Sequence, residues 1–190
     1  MLSETVKEIF KDAERYHRKV WLMMTVSSML FLILGYLTTN HSQNSNPRNV
    51  DTSFIYLLYI VAFCLGVLSV GLRYYLLSNR RIEIRMTEKP NLRLIAKNRQ
   101  TGEVDCKRLE ELNKLETYEQ RLVTLPGWIL NRSVYSWGVN SMIVFTGYIV
   151  GVLTKSFAII VPFMVGALIL DFIMFPMLQK FVEKASLLTN

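Results

Sequence analysis

Four stretches of this 190-residue chain are almost free of charge: residues 21–37, 54–72, 133–154 and 156–178. Asp171, in the last, is their single ionisable side chain of formal charge at neutral pH. Each stretch is close to the ~20 residues that cross ~30 Å of hydrocarbon at a helical rise of ~1.5 Å per residue. A stretch this long and this free of charge has few other homes. The pattern predicts an all-α integral membrane protein with four transmembrane helices arranged as two hairpins. Cytoplasmic amphipathic helices and a short β-ribbon are expected to accompany them.

The basic residues predict the orientation. Residues 1–20 carry Lys7, Lys11, Arg15, Arg18 and Lys19, residues 73–132 carry thirteen Lys and Arg, and the tail carries Lys180 and Lys184. The other two connectors hold one each, Arg48 and Lys155. Cytoplasmic loops are the basic ones, so both termini and the middle segment are expected inside. This also accounts for the net charge of +7 without a nucleic-acid partner, and none is expected. Trp21, Trp128 and Trp137 fall near the predicted inner interfaces. No small-residue cleavage site follows the first apolar stretch, which is expected to remain as an anchor. Compact loops and this arrangement fit a bacterial inner membrane.

The chain divides on this reading into five pieces. Residues 1–20 form a cytoplasmic amphipathic helix, with Val6, Ile9, Phe10, Ala13, His17 and Val20 at helical spacing and Ser3 as N-cap. It lies on the inner leaflet, packs on the middle segment, or continues the first span in line. Residues 21–77 form the first membrane hairpin, closed by a polar Asn/Ser-rich turn containing Pro47. Residues 78–132 form the basic cytoplasmic segment. Within it Ile82, Ile84 and Met86 alternate with charged residues, and Leu92-Arg93-Leu94 alternates again between turn-like breaks at residues 88–91 and 100–102, which favours a two-stranded ribbon over a helical continuation of the second span. Asp105 then caps a second amphipathic helix with the stripe Leu109, Leu112, Leu115, Tyr118 and Leu122, broken by Pro126-Gly127. Residues 133–179 form the second hairpin, whose connector at 154–156 must be tight. Residues 180–190 form a cytoplasmic tail.

Catalytic signatures are missing. The sequence has no HExxH, P-loop or GxSxG and no paired carboxylates at membrane depth, so no enzymatic activity is expected. Cys64 and Cys106 lie far apart, and His17 and His41 are isolated, which predicts neither a disulfide framework nor a metal site. No cofactor is expected.

The candidate functional residues lie in the membrane. Asp171 stands nine residues before Lys180, ~13 Å from the inner boundary at the helical rise. A carboxylate at that depth either contacts an ion or proton, or hydrogen-bonds to a neighbouring helix or pairs with Arg73. Gly147 and Gly151 form a GxxxG pair, and Ala62 and Gly66 a second small-residue pair, for packing within the chain or between copies. Pro162 and Pro176 permit kinks that would suit a gate.

In layout, the hairpin of residues 15–39 and 54–77 framed by charged helices resembles the small multi-span effectors of bacterial antiphage systems. That resemblance implies a protein that oligomerises in the bilayer and depolarises the membrane in abortive infection, after a regulatory partner engages residues 78–132. Two other readings fit the same residues: a non-catalytic subunit of a secretion or conjugation assembly, and an immunity or exclusion protein.

Overall fold

The computed structural model describes residues 3–41, 51–97, 102–175 and 177–188. The polar turn with Pro47, residues 98–101 and Pro176 lie outside the described residues. The chain is mostly helical, with no strand among the described residues. In order it forms α1 (Glu4–His41), α2 (Thr52–Leu76), α3 (Asn79–Thr87), α4 (Leu92–Ala96), α5 (Cys106–Asn113), α6 (Thr117–Leu122), α7 (Leu125–Thr154), α8 (Phe157–Ile173) and α9 (Leu178–Leu188). Three described stretches, Glu4–Asn40, Thr52–Thr87 and Thr117–Thr154, are helical, long and apolar enough to cross a membrane, and α8 is a shorter apolar helix.

The residues fall into two compact units. One comprises residues up to His17, Leu76–Arg132 and Pro176–Asn190; the other comprises Arg18–Tyr75 and Ser133–Phe175. Helix α1 contributes residues to both.

The first unit has two apolar clusters. In one, Leu77, Ile82, Met86, Leu122, Leu125, Ile129, Leu178 and Ala185 pack together with Phe10 and Phe181 against them. In the other, Val6, Leu92, Ala96, Leu112 and Val123 pack with Ile9 and Leu109 alongside. The N-terminal part of α1 therefore packs on the middle segment. The Ser3 Oγ is buried without a hydrogen-bond partner among the described residues; the Ser3 amide instead donates to Glu119 Oε1 at 2.6 Å.

The expected β-ribbon is replaced by α3 and α4. Ile82 and Met86 are fully buried whereas Ile84 is 50% exposed. A strand would put all three on one face, but a helix puts residues four apart together and turns the middle one away. Leu92 and Leu94 separate in the same way, buried and exposed. The remnant of strand pairing is one isolated bridge, Lys97 to Val104.

Two further boundaries differ from expectation. The second amphipathic helix is two helices: residues 114–116 lie outside both, the backbone turns extended at Glu116 (ψ 150°), and Gln120 Nε2 donates to the Asn113 and Leu115 carbonyls at 3.2 and 2.9 Å. The interruption sends Leu112 and Leu122 to different clusters. Pro126-Gly127 does not separate helices but opens α7, where a proline loses no intrahelical hydrogen bond. Asp105 does cap α5, its Oδ1 accepting from the Lys107 and Arg108 amides at 3.0 and 3.2 Å. The tail is α9, anchored through Leu178 and Ala185.

In the second unit, Ala62, Ile143, Val144, Val150, Phe163, Met164 and Ala167 form the apolar core. Helices α7 and α8 are joined by two residues, Lys155 and Ser156, with Lys155 in the left-handed region at φ 55°.

Candidate functional site

Polar residues of the second unit are gathered inside it. Thr25, Ser28, Ser69, Ser136, Asn140 and Asp171 are all buried, although each sits in one of the apolar stretches. Buried polar groups need partners, because an unmade hydrogen bond costs about 1–3 kcal/mol. Most find them on another helix.

Asp171, near the end of α8, is 3% exposed. Its Oδ1 accepts from Asn140 Nδ2 of α7 at 2.6 Å, and its Oδ2 accepts from Thr25 Oγ1 of α1 at 3.4 Å. Asn140 Nδ2 also donates to the Ala167 carbonyl at 2.9 Å, which fixes the amide against α8. Asn140 Oδ1 is buried and has no partner among the described residues. An acidic oxygen pair and an unfilled amide acceptor thus lie together among buried side chains, an arrangement able to receive a proton or a small cation.

One step along, Ser69 of α2 and Ser136 of α7 clasp each other. Ser69 Oγ donates to the Ser136 carbonyl at 2.9 Å, and Ser136 Oγ donates to the Ser69 carbonyl at 2.7 Å. Neither bond is available to a larger side chain without parting the helices.

The C-terminal end of α8 presents carbonyls that its own helix cannot satisfy. Three helices supply donors. Trp21 Nε1 of α1 donates to the Asp171 carbonyl at 3.0 Å, and Trp137 Nε1 of α7 donates to the Met174 carbonyl at 3.4 Å. The Arg73 guanidinium of α2 donates to the Met174 and Phe175 carbonyls, the second at 3.2 Å. Trp21 meets Phe175 edge to face at 4.9 Å between centroids, and Arg18 lies 5.9 Å over the same ring. Trp137 is thus a buried packing residue and not a surface indole.

Arg73 accordingly caps α8 and does not pair with Asp171. A guanidinium serves two carbonyls through a rigid fork that a lysine ammonium does not reproduce. Arg73→Lys is expected to lower the unfolding free energy by about 1–3 kcal/mol, read as an earlier midpoint in an SDS titration of the detergent-purified protein. An unchanged midpoint would remove this capping role.

The glycine pair of α7 faces α8. A Cβ at Gly147 would stand 2.5 Å from Phe163 Cβ, and one at Gly151 would fall on the Ile160 side chain. Gly147 and Gly151 are therefore used within the chain. Ile160 is held from the other side by Gly35 of α1, where an added Cβ would also stand 2.5 Å from it. Ala62 is buried in the core, while a Cβ at Gly66 would make only ordinary contact, 3.4 Å from Leu170. Gly66, Gly71, Pro162 and Gly166 line an apolar groove of about 680 Å³ between α2 and α8. Pro162 lies inside α8 without ending it. Pro176 lies outside the described residues.

The structure thus brings Asp171 together with Asn140 and Thr25, and sets Arg73 on the adjoining helix end. Asn140, Thr25 and Gly35 are the partners that pattern reading did not single out, and Trp21 and Trp137 were read only as interface indoles, not as donors to the end of α8. Their signal was faint: polar or small residues scattered in apolar runs. Among the described residues no three His, Cys, Asp or Glu side chains cluster as a metal site would require, and both cysteines are free. Compared with protein-family models, curated protein sequences and solved structures, the chain matches none.

Proposed function

We propose that the chain is a non-catalytic, four-span protein of the bacterial inner membrane that acts as a regulated, membrane-perturbing effector. The second unit is the bilayer-embedded part, with α1, α2, α7 and α8 as its spans. The first unit is the cytoplasmic regulatory part.

The observation that carries the membrane reading is the polarity of the second unit. Its exposed residues include Met23 at 72% and Phe63 at 73%, while Thr25 is 5% exposed. Exposed apolar area on that scale is unfavourable in water at about 25 cal/mol per Å². In lipid the same surface carries no such penalty, and the buried serines, threonine and asparagine are then the packing devices of membrane helices. Helix α8, with 17 residues, is at the short end of the ~17–25 that span a bilayer.

The effector reading rests on the buried polar seam. Thr25, Ser69, Ser136, Asn140 and Asp171 make hydrogen bonds from helix to helix inside an apolar-coated unit. Separating α8 from α1 and α7 would wet that seam and open a polar path. The apolar groove between α2 and α8 offers a face on which copies could assemble, since the GxxxG pair is already occupied.

Expressing the protein alone from a tightly controlled promoter tests it. A potential-sensitive dye should report depolarisation within minutes of induction, before growth stops. Full membrane potential at a membrane level matching the toxic dose of a known pore former would overturn the effector role. A stoichiometric partner co-purifying with harmless protein would instead favour the assembly-subunit reading.

A further inference from the structure

The first unit contains a cleft of about 800 Å³ that the apolar clusters do not fill. One wall is the end of α3 with the following turn and the start of α4, and the other is formed by α5 and α6. Lys89, Arg93 and Arg121 line it, with Asn91, Asn113 and Thr117 beside them, and no carboxylate is among its lining residues. Acids flank the lining residues in sequence, Glu88, Glu110, Glu116 and Glu119, but none lines the cleft; Glu88 is bonded to Arg85 and Glu119 accepts from the Ser3 amide.

The three cations have no carboxylate partner among the described residues. Arg121 Nε is buried and lacks a hydrogen-bond partner there. A guanidinium nitrogen withdrawn from water and left unbonded costs free energy unless an acceptor arrives. Charges of one sign in a concave site also raise the local concentration of counter-ions of the opposite sign. The volume falls within the ~300–1,000 Å³ of small-molecule sites. Asn91, Asn113 and Thr117 add neutral donors and acceptors for a polar, non-ionic part of a ligand.

We propose that this cleft binds a phosphorylated small molecule carrying at least two negative charges, with Arg93, Arg121 and Lys89 on the phosphate groups. Arginine forks match phosphate oxygens two at a time, and lysine adds a point charge. The shared chemistry has two sources, a soluble phosphate ester or the phosphate of an anionic lipid headgroup. The site is complete within the first unit and does not depend on whether the protein depolarises membranes.

The test uses the full chain in nanodiscs of phosphatidylcholine, with inorganic pyrophosphate and ATP as probes and sodium sulfate at matched ionic strength as the control. Either probe should bind once per chain by isothermal titration calorimetry and raise the thermal midpoint more than sulfate does. Lys89→Gln combined with Arg93→Gln should weaken that binding at least about tenfold, as loss of two charge-assisted contacts implies. Both residues are exposed, so the ligand-free midpoint should not move. Repeating the titration in phosphatidylglycerol nanodiscs separates the sources: unchanged binding identifies the soluble ester, and competition that disappears in the double variant identifies the headgroup. The proposal is overturned if neither probe binds and phosphatidylglycerol has no variant-sensitive effect. It is equally overturned if the double variant binds as well as the parent.

Discussion

Gly147→Leu is expected to abolish accumulation of the folded protein, whereas Gly138→Leu, nine residues earlier in the same helix, is expected to be tolerated. The difference lies in what stands opposite. A Cβ at 147 would meet Phe163 Cβ at 2.5 Å and its Cγ at 2.7 Å, while nothing lies within 4 Å of one at 138. Phe163 cannot swing aside cheaply, because its ring is stacked on Tyr59 with centroids 4.6 Å apart and planes 19° from parallel. Forcing one methyl into a packed interface costs about 1–3 kcal/mol, and a leucine adds three more carbons to the same clash. A natural domain has only ~5–15 kcal/mol in hand. Immunoblotting of membrane fractions reads the leucine pair, and the thermal midpoint of purified Gly147→Ala gives the graded version. Equal levels and midpoints at 147 and 138 would mean that the glycine pair is not an intrachain contact.

Asp171→Asn is expected to end depolarisation while leaving the amount of protein in the membrane unchanged. Asparagine keeps the volume and one carbonyl oxygen, so it still accepts from Asn140 Nδ2, where the carboxylate does so at 2.6 Å. Its amide can donate to Thr25 Oγ1, reversing the present 3.4 Å bond. What it lacks is the ability to carry charge or exchange a proton. A hydrogen bond between membrane helices contributes only ~0.6 kcal/mol on average, so the swap should barely disturb packing. Asp171→Leu is the contrasting variant: it deprives Asn140 and Thr25 of their acceptor and should lower both level and activity. A fully active Asp171→Asn would reduce this carboxyl to a packing group.

Much of the architecture was legible along the chain, because a long uncharged run has few uses other than a buried or lipid-embedded helix. Asp105 was readable as a cap because its signal is local: one carboxylate and the amides two and three residues on. The middle segment misled for a physical reason. Ile82, Ile84 and Met86 satisfy a two-residue period, but the outer two also satisfy the four-residue spacing of a helix, and five residues cannot separate the periods. The clusters formed with Phe10, Leu122 and Leu178 decide it, and these lie far away in sequence. The site was half legible. Asp171 stands out as a charge among apolar residues, yet its donors Thr25 and Asn140 lie 146 and 31 residues away. Arg73 invited pairing with it by charge alone; the open carbonyls at the end of α8 are the nearer partners, and a backbone acceptor carries no mark in sequence.

The two native cysteines give the most direct measurement of the central claim, that the second unit is embedded in a bilayer and the first unit is cytoplasmic. Cys64 is exposed on α2, ten residues into the apolar stretch that starts at Phe54, and Cys106 is exposed at the start of α5. A membrane-impermeant maleimide applied to intact spheroplasts should label neither. Applied to inverted vesicles it should label Cys106 alone, with Cys64 reacting only after SDS, and Cys64→Ser and Cys106→Ser variants assign the signal. Labelling of Cys106 from outside, or of Cys64 in sealed membranes, would contradict the account.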